Sequence, residues 1–151
     1  MPQSLSAVYL HLVFSTKDRR PSFADADLRE RLHSYIGGIS RELDCPPLQV
    51  GGVGDHLHIL ARNGREIAQA RWVKELKRVS SRWIKSQGAG LRDFEWQRGY
   101  AVFSVSPSSL ERVRAYVAEQ ERHHRRFDYQ RELRTLLQRH GLEWDERYLW
   151  D

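Results

Sequence analysis

At 151 residues, with 40% hydrophobic and 30% charged positions, the chain has the length and balance of one globular domain with a real core, which excludes a disordered chain. Its single cysteine, Cys45, excludes an intramolecular disulfide framework and suits a reducing cytoplasm. Twenty-five Lys and Arg against 20 Asp and Glu leave a net charge of +5 and a pI near 9.7, pointing to a polyanionic partner.

Met1–Ala7 lacks the basic and apolar regions of a secretory leader, and no apolar run in the chain approaches the roughly 20 residues that span a bilayer. Val8–Ser15 alternates, with Tyr9, His11, Val13 and Ser15 on one face and Leu10, Leu12 and Phe14 on the other; two largely apolar faces predict a central strand. Lys17-Asp18-Arg19-Arg20-Pro21 ends it as a basic loop. A helix over Asp25–Leu43 turns Leu28, Leu32, Tyr35, Ile36 and Ile39 inward, and Cys45-Pro46-Pro47 breaks it. Leu48–Val53 and His56–Ala61 read as short strands about a tight turn at Gly54-Asp55. A long helix follows from about Glu66 to Ser86, stopped before Gly88 and Gly90. Phe94–Val105, aromatic and β-branched, is expected to return to the sheet. Ser108-Ser109-Leu110-Glu111 has the form of a capping box opening a helix that runs to about Arg126. A last helix near Tyr129–His140, closed by Gly141, precedes an aromatic tail, Trp144–Trp150. Without regular βαβ alternation, these elements predict an α+β domain with a mainly antiparallel sheet and helices packed on one side.

Strand periodicity puts His56 and His58 on the same face, where two imidazoles can chelate one divalent cation. Tyr116 and Gln120 stand at i and i+4 of a helix, on the side of Val113 and Val117 that turns toward the protein. The pairs complement each other. Two histidines leave an ion under-coordinated, and a glutamine amide oxygen supplies a third donor. A neutral His-His-Gln set leaves the ion its full charge to polarise a phosphate, which helps a tyrosine hydroxyl to attack. A phosphotyrosine keeps the bond energy, so the cut can be resealed to a different end. Lys74, Lys77, Arg78, Arg82 and Lys85 form a cationic stripe on the long helix, opposite Trp72, Leu76, Val79 and Trp83; with Lys17, Arg19 and Arg20 they make a candidate track for DNA phosphates. Arg122-His123-His124-Arg125-Arg126 is a third basic cluster. Aromatics such as those of Phe94–Tyr100 suit either the core or the stacking of unpaired bases.

In this ordered series the chain resembles the HUH single-tyrosine transposases of small bacterial insertion sequences, of which the REP-associated tyrosine transposases are relatives. The resemblance runs through Val8–Lys17, Gly54–Leu60, Trp96–Tyr100 with Phe103–Ser106, Tyr116–Gln120 with His123-His124, and the tail Asp145–Trp150. It implies a ferredoxin-like sheet in a single domain over residues 1–151, with a tyrosine helix at about 108–126 and a C-terminal helix and tail over 129–151. It also implies a homodimer in the bacterial cytoplasm, associated with the nucleoid, acting on single-stranded DNA with hairpin ends and using no nucleotide cofactor. By resemblance, His56, His58 and Gln120 bind Mg or Mn, and Tyr116 forms a 5′-phosphotyrosine and releases a 3′-hydroxyl. The tyrosine helix of one subunit can complete the site of the other in this family. Some HUH relatives carry two tyrosines on the active helix; here position 120 is Gln.

The main competing reading is a catalytically silent, domesticated DNA-binding dimer acting as a regulator. A histidine-triad nucleotide hydrolase wants a third histidine two positions on, where this chain has Leu60. An RNA-binding protein of ferredoxin-like fold accounts for charge and aromatics but leaves His56, His58, Tyr116 and Gln120 as coincidence.

Overall fold

The computed structural model describes residues 2–151. Strand β1 (Tyr9–Ser15) lies between β3 (His56–Arg62) and β4 (Ala101–Val105), and β2 (Pro47–Gly52) flanks β3, giving the order β2-β3-β1-β4 with every pairing antiparallel. Helix α1 (Ala26–Glu42) joins β1 to β2, and α2 (Gln69–Lys85) joins β3 to β4, so the chain order is that of a ferredoxin-like α+β fold. The Asp25 side chain caps α1 by accepting from the Asp27 N–H at 2.9 Å.

The two faces of β1 seed two cores. Leu10, Leu12 and Phe14, with Leu57 and Ile59 of β3, meet Leu32, Ile36, Trp72, Leu76 and Ile84 of α1 and α2. Val13 and Phe103 on the opposite face meet Tyr129, Leu133, Leu136 and Leu137 of α5 (Tyr129–Arg139). Helices therefore cover both faces of the sheet, not one as the sequence suggested; alternating strand residues that are apolar on both sides require a cover on each.

Three further expectations are corrected. Only Ala101–Val105 of the predicted strand 94–105 joins the ladder, although an isolated bridge links Trp96 to Thr16. Phe94 and Trp96 enter the larger core from a loop, their rings 4.9 Å apart and both packed on Phe23. The capping box does not form: Pro107–Ser109 is a 3-10 turn, the Ser108 hydroxyl pairs with Ser106, and Ser109 makes no side-chain cap. The expected helix 108–126 is two pieces, α3 (Leu110–Ala118) and α4 (Gln120–His123), with a break at Glu119. A last short helix, α6 (Glu146–Leu149), lies in the aromatic tail. Among the described residues, no helix is long and apolar enough to cross a membrane.

Candidate active site

The site forms where β3, α3, α4 and α5 meet on the side of the smaller core. In the β1–β3 register His56 stands opposite Ser15 at the start of β3 and His58 opposite Val13, with β2 also paired at His58, and both imidazoles are buried. Each is oriented from behind. His56 Nδ1 is 2.7 Å from Asp55 Oδ1, and His58 Nδ1 is 2.8 Å from His11 Nε2. This is the arrangement that fixes the tautomer of metal-binding histidines and aims Nε2 inward.

The tyrosine helix is seated by glycine. The Val117 carbonyl of α3 lies so close to Gly51 on β2 that a Cβ there would stand 1.9 Å from the carbonyl oxygen. That approach brings Tyr116 and Gln120 over the histidines. Gln120 is buried; its Nε2 donates to the Tyr116 carbonyl at 3.2 Å, and its Oε1 lies 3.1 Å from His56 Nε2. The two pairs singled out in the sequence thus share one site.

Two more residues occupy it. Glu132, on the buried face of α5 and 3% exposed, has Oε1 at 2.9 Å from His58 Nε2, 3.3 Å from His56 Nε2 and 3.1 Å from His124 Nε2. Its Oε2 accepts the hydroxyl of Tyr116. His124, just past α4, pairs its Nδ1 with the Phe127 carbonyl at 2.7 Å. His56, His58, His124 and Glu132 each offer one ligand atom, and these atoms lie within 4.8 Å of one another.

Charge in this pocket is tightly linked. Burial alone would raise the Glu132 carboxyl, but His58 and the imidazoles of His124 and His56 set against it outweigh that and hold the group well below the usual carboxylate range. Burial opposes a charge on His56, yet the bonds to Asp55 and Glu132 prevail and hold its pKa up at about 9. His11 is driven down to about 3 by burial and by His58, so it serves as a neutral backing group. Burial and then the Glu132 charge push the Tyr116 hydroxyl above its ordinary value. The tyrosine is therefore held protonated, and attack by it needs a compensating positive charge nearby. The donor set fits a divalent cation: inward-facing imidazole nitrogens, an amide oxygen and a carboxylate supply both geometry and charge.

Glu132 and His124 were missed in the sequence. Glu132 falls among Tyr129, Leu133, Leu136 and Leu137 on the apolar face of its helix, and an acid in a core stripe is the signal that pointed to it. His124 was read as part of a basic cluster, although it continues the four-residue spacing of Tyr116 and Gln120.

The predicted DNA-binding cations separate into two groups. Lys74, Arg82 and Lys85 are exposed on α2. Lys77 instead turns its ammonium onto the carbonyls of Gln97, Arg98 and Gly99, at 2.8, 3.3 and 2.7 Å, and burial lowers its pKa to about 8. Arg78 pairs with Glu75 at 2.7 Å, Lys17 with Glu95 at 2.7 Å, and Arg20 stands 4.0 Å from Asp18. Arg19 lies over the Trp150 ring at 5.4 Å. Lys17, Lys77, Arg78 and Lys85 line a groove of about 650 Å³ with Trp96 and Trp150. It opens beside the loop that follows Ser15, the strand partner of His56. A second hollow, of about 730 Å³, reaches Tyr116 between Arg112 and Arg139.

The family described as Transposase IS200 like matches residues 4–120. Among solved structures, a candidate transposase from Deinococcus radiodurans R1 is similar with a TM-score of 0.61 at 20% identity, covering 78% of this chain and 95% of its own. A REP-associated tyrosine transposase, solved bound to a REP hairpin, is similar with a TM-score of 0.56 at 12% identity, covering 78% of this chain and 68% of its own. At these identities the likeness establishes the fold alone. No curated protein matches the sequence.

Proposed function

The chain belongs to the IS200-like transposase family, and from that premise we propose that it cuts and rejoins single-stranded DNA through a 5′-phosphotyrosine on Tyr116. One observation carries the reading: a single buried carboxylate, Glu132, accepts the Tyr116 hydroxyl through Oε2 while Oε1 lies 2.9 Å from His58 Nε2. Nucleophile and metal donors are thus drawn to one point.

In this scheme His56, His58 and Gln120 hold a divalent cation, Mg or Mn, which supplies Lewis-acid polarisation of the scissile phosphate. Tyr116 Oη forms a bond to phosphorus as the bond from phosphorus to the 3′ oxygen breaks. The tyrosine proton is given up, and the departing oxygen takes one as a 3′-hydroxyl. Attack by another 3′-hydroxyl reverses these steps and restores the tyrosine. Gln120 ties the tyrosine backbone to the histidines, and Asp55 and His11 keep both imidazoles from rotating.

The basic groove and the exposed cations Lys74, Arg82 and Lys85 suit a phosphate backbone, and the partly exposed Trp150 side chain in the groove suits a base. A hairpin at the element end as substrate, and a homodimer as the working unit, complete the reading. The contact of the Tyr116 hydroxyl with the Glu132 carboxylate favours one rival, a silent DNA-binding regulator in which that bond is never released.

The test is a denaturing gel with end-labelled single-stranded DNA from the flanks of the gene, with Mg²⁺ or Mn²⁺. We expect an SDS-resistant adduct that requires metal and is lost in Tyr116→Phe, with hairpin binding retained. Tight binding without an adduct on either strand of either flank would establish the regulator instead.

A further inference from the structure

We infer that His124 and Glu132, both beyond the family match at residues 4–120, are metal ligands in this chain, and that with His56 and His58 they form a three-imidazole, one-carboxylate centre selective for a transition ion over Mg²⁺. The inference rests on the metal-site reading above and changes its donor set.

The orientation of the hydrogens carries the argument. Asp55 Oδ1 and the Phe127 carbonyl oxygen are acceptors only, so the Nδ1 atoms they meet on His56 and His124 carry the ring hydrogens. His124 Nε2 is then a bare ring nitrogen with its lone pair turned inward, whereas His56 Nε2 faces Gln120 Oε1 and Glu132 Oε1 and would exchange its hydrogen for the ion. His58 has its Nδ1 engaged by His11 and turns Nε2 to the same point. His124 makes the case most plainly. Its side chain is 8% exposed, and its Nε2 lies 3.1 Å from Glu132 Oε1 yet makes no hydrogen bond. Acceptors packed this closely repel one another unless positive charge lies among them. A proton bridges one pair; a divalent ion satisfies all four.

The spacing agrees. Metal–donor bonds of about 2.1 Å at right angles set neighbouring donors about 3.0 Å apart. Glu132 Oε1 is 2.9, 3.1 and 3.3 Å from the three imidazole nitrogens. The chemistry of these donors is also selective. Mg²⁺ prefers oxygen and gives up water reluctantly, whereas imidazole-rich sets suit transition ions. The carboxylate adds a negative charge that the neutral His-His-Gln set lacks. The C-terminal helix thereby becomes part of the metal centre.

Isothermal titration of the full chain with Mn²⁺ and with Mg²⁺ tests this, using wild type, Glu132→Gln, His124→Gln and His58→Ala. We expect wild type to bind Mn²⁺ at least about 10-fold more tightly than Mg²⁺, and each of the first two variants to lose at least about 10-fold in Mn²⁺ affinity. Pulsed EPR of the wild-type Mn²⁺ complex provides a readout that does not depend on a variant folding: three coordinated imidazoles are expected, against two for a His-His-Gln set. Unchanged Mn²⁺ affinity in both variants, or two imidazoles by EPR, overturns the inference; with binding lost in His58→Ala, the metal reading of the previous section stands. Tighter binding by Glu132→Gln overturns it as well, because the carboxylate would then be a plug and not a ligand. Wild type that binds neither ion removes both readings.

Discussion

Gly51→Ala is a small change with a large lever on Tyr116, the proposed nucleophile. The added Cβ would meet the Val117 carbonyl oxygen at 1.9 Å and the carbonyl carbon at 2.9 Å, both backbone atoms with no rotamer to yield. Ordinary contact begins at 3.4 Å, so α3 must retreat by about 1.5 Å or β2 must bend away. Gly51 is not among the glycines with positive φ, so the effect is steric and not conformational. Overpacking of this kind costs about 1–3 kcal/mol. The catalytic loss should exceed the loss of stability. Tyr116 directly precedes Val117 and moves with it, and a misplacement of about 1 Å can cost on the order of 100-fold in rate. The assay is the initial rate of covalent adduct formation on single-stranded DNA, beside thermal unfolding to confirm a folded protein. Gly38→Ala on α1, where nothing lies within 4 Å of the new methyl, is the control and should cleave normally. A Gly51→Ala protein that is folded and forms adduct at the wild-type rate would refute the seating of Tyr116 by this contact.

The cations of α2 should divide by role. Lys77→Ala strips the donor from three carbonyls and should cost about 1–3 kcal/mol in unfolding free energy. A triple Ala variant of Lys74, Arg82 and Lys85 should unfold near the wild-type temperature but bind DNA with a salt dependence about two to three charges shallower. Equal loss of stability in the two proteins would contradict the division. His33 supplies a pH dependence. Burial, and then the Arg29 charge, lower its folded pKa to about 4 from 6.5, so folding favours the neutral ring. Its contribution is complete above pH 6.5 and is lost as pH falls from there through about 4, on the order of 3 kcal/mol at most. In His33→Gln, the acid-side fall in thermal midpoint should be visibly flatter; an unchanged slope would assign it elsewhere.

What was legible in the sequence follows from periodicity. The faces of β1 and the shared side of His56 and His58 are consequences of a two-residue repeat, and the pairing of Tyr116 with Gln120 follows from a helical turn. What failed was set by contacts between distant segments. The aromatics of Phe94–Trp96 read as strand, yet they fill the core against Phe14 and Phe23 from a loop. Lys77 read as a free phosphate contact because nothing local reveals that the carbonyls of residues 97–99 curl over its ammonium. Glu132 lies 74 residues from His58, and only the docking of α5 brings it there. The one local hint was an acid on an apolar face.

The unequal cores bear on how the site would come apart. His56 and His58 ride on a strand whose other face, through Leu57 and Ile59, anchors the larger core, whereas Glu132 depends on the smaller cluster of Val13, Phe103 and α5. Amide exchange should therefore be slowest along β1 and β3 and faster along α5, with the C-terminal helix opening as its own cooperative unit. Such an opening lifts the carboxylate from Tyr116 and leaves the histidine pair in register. On the proposed reading Tyr116 would be freed by local unfolding, and the metal centre would be left with only its donors outside α5 while the sheet stays folded.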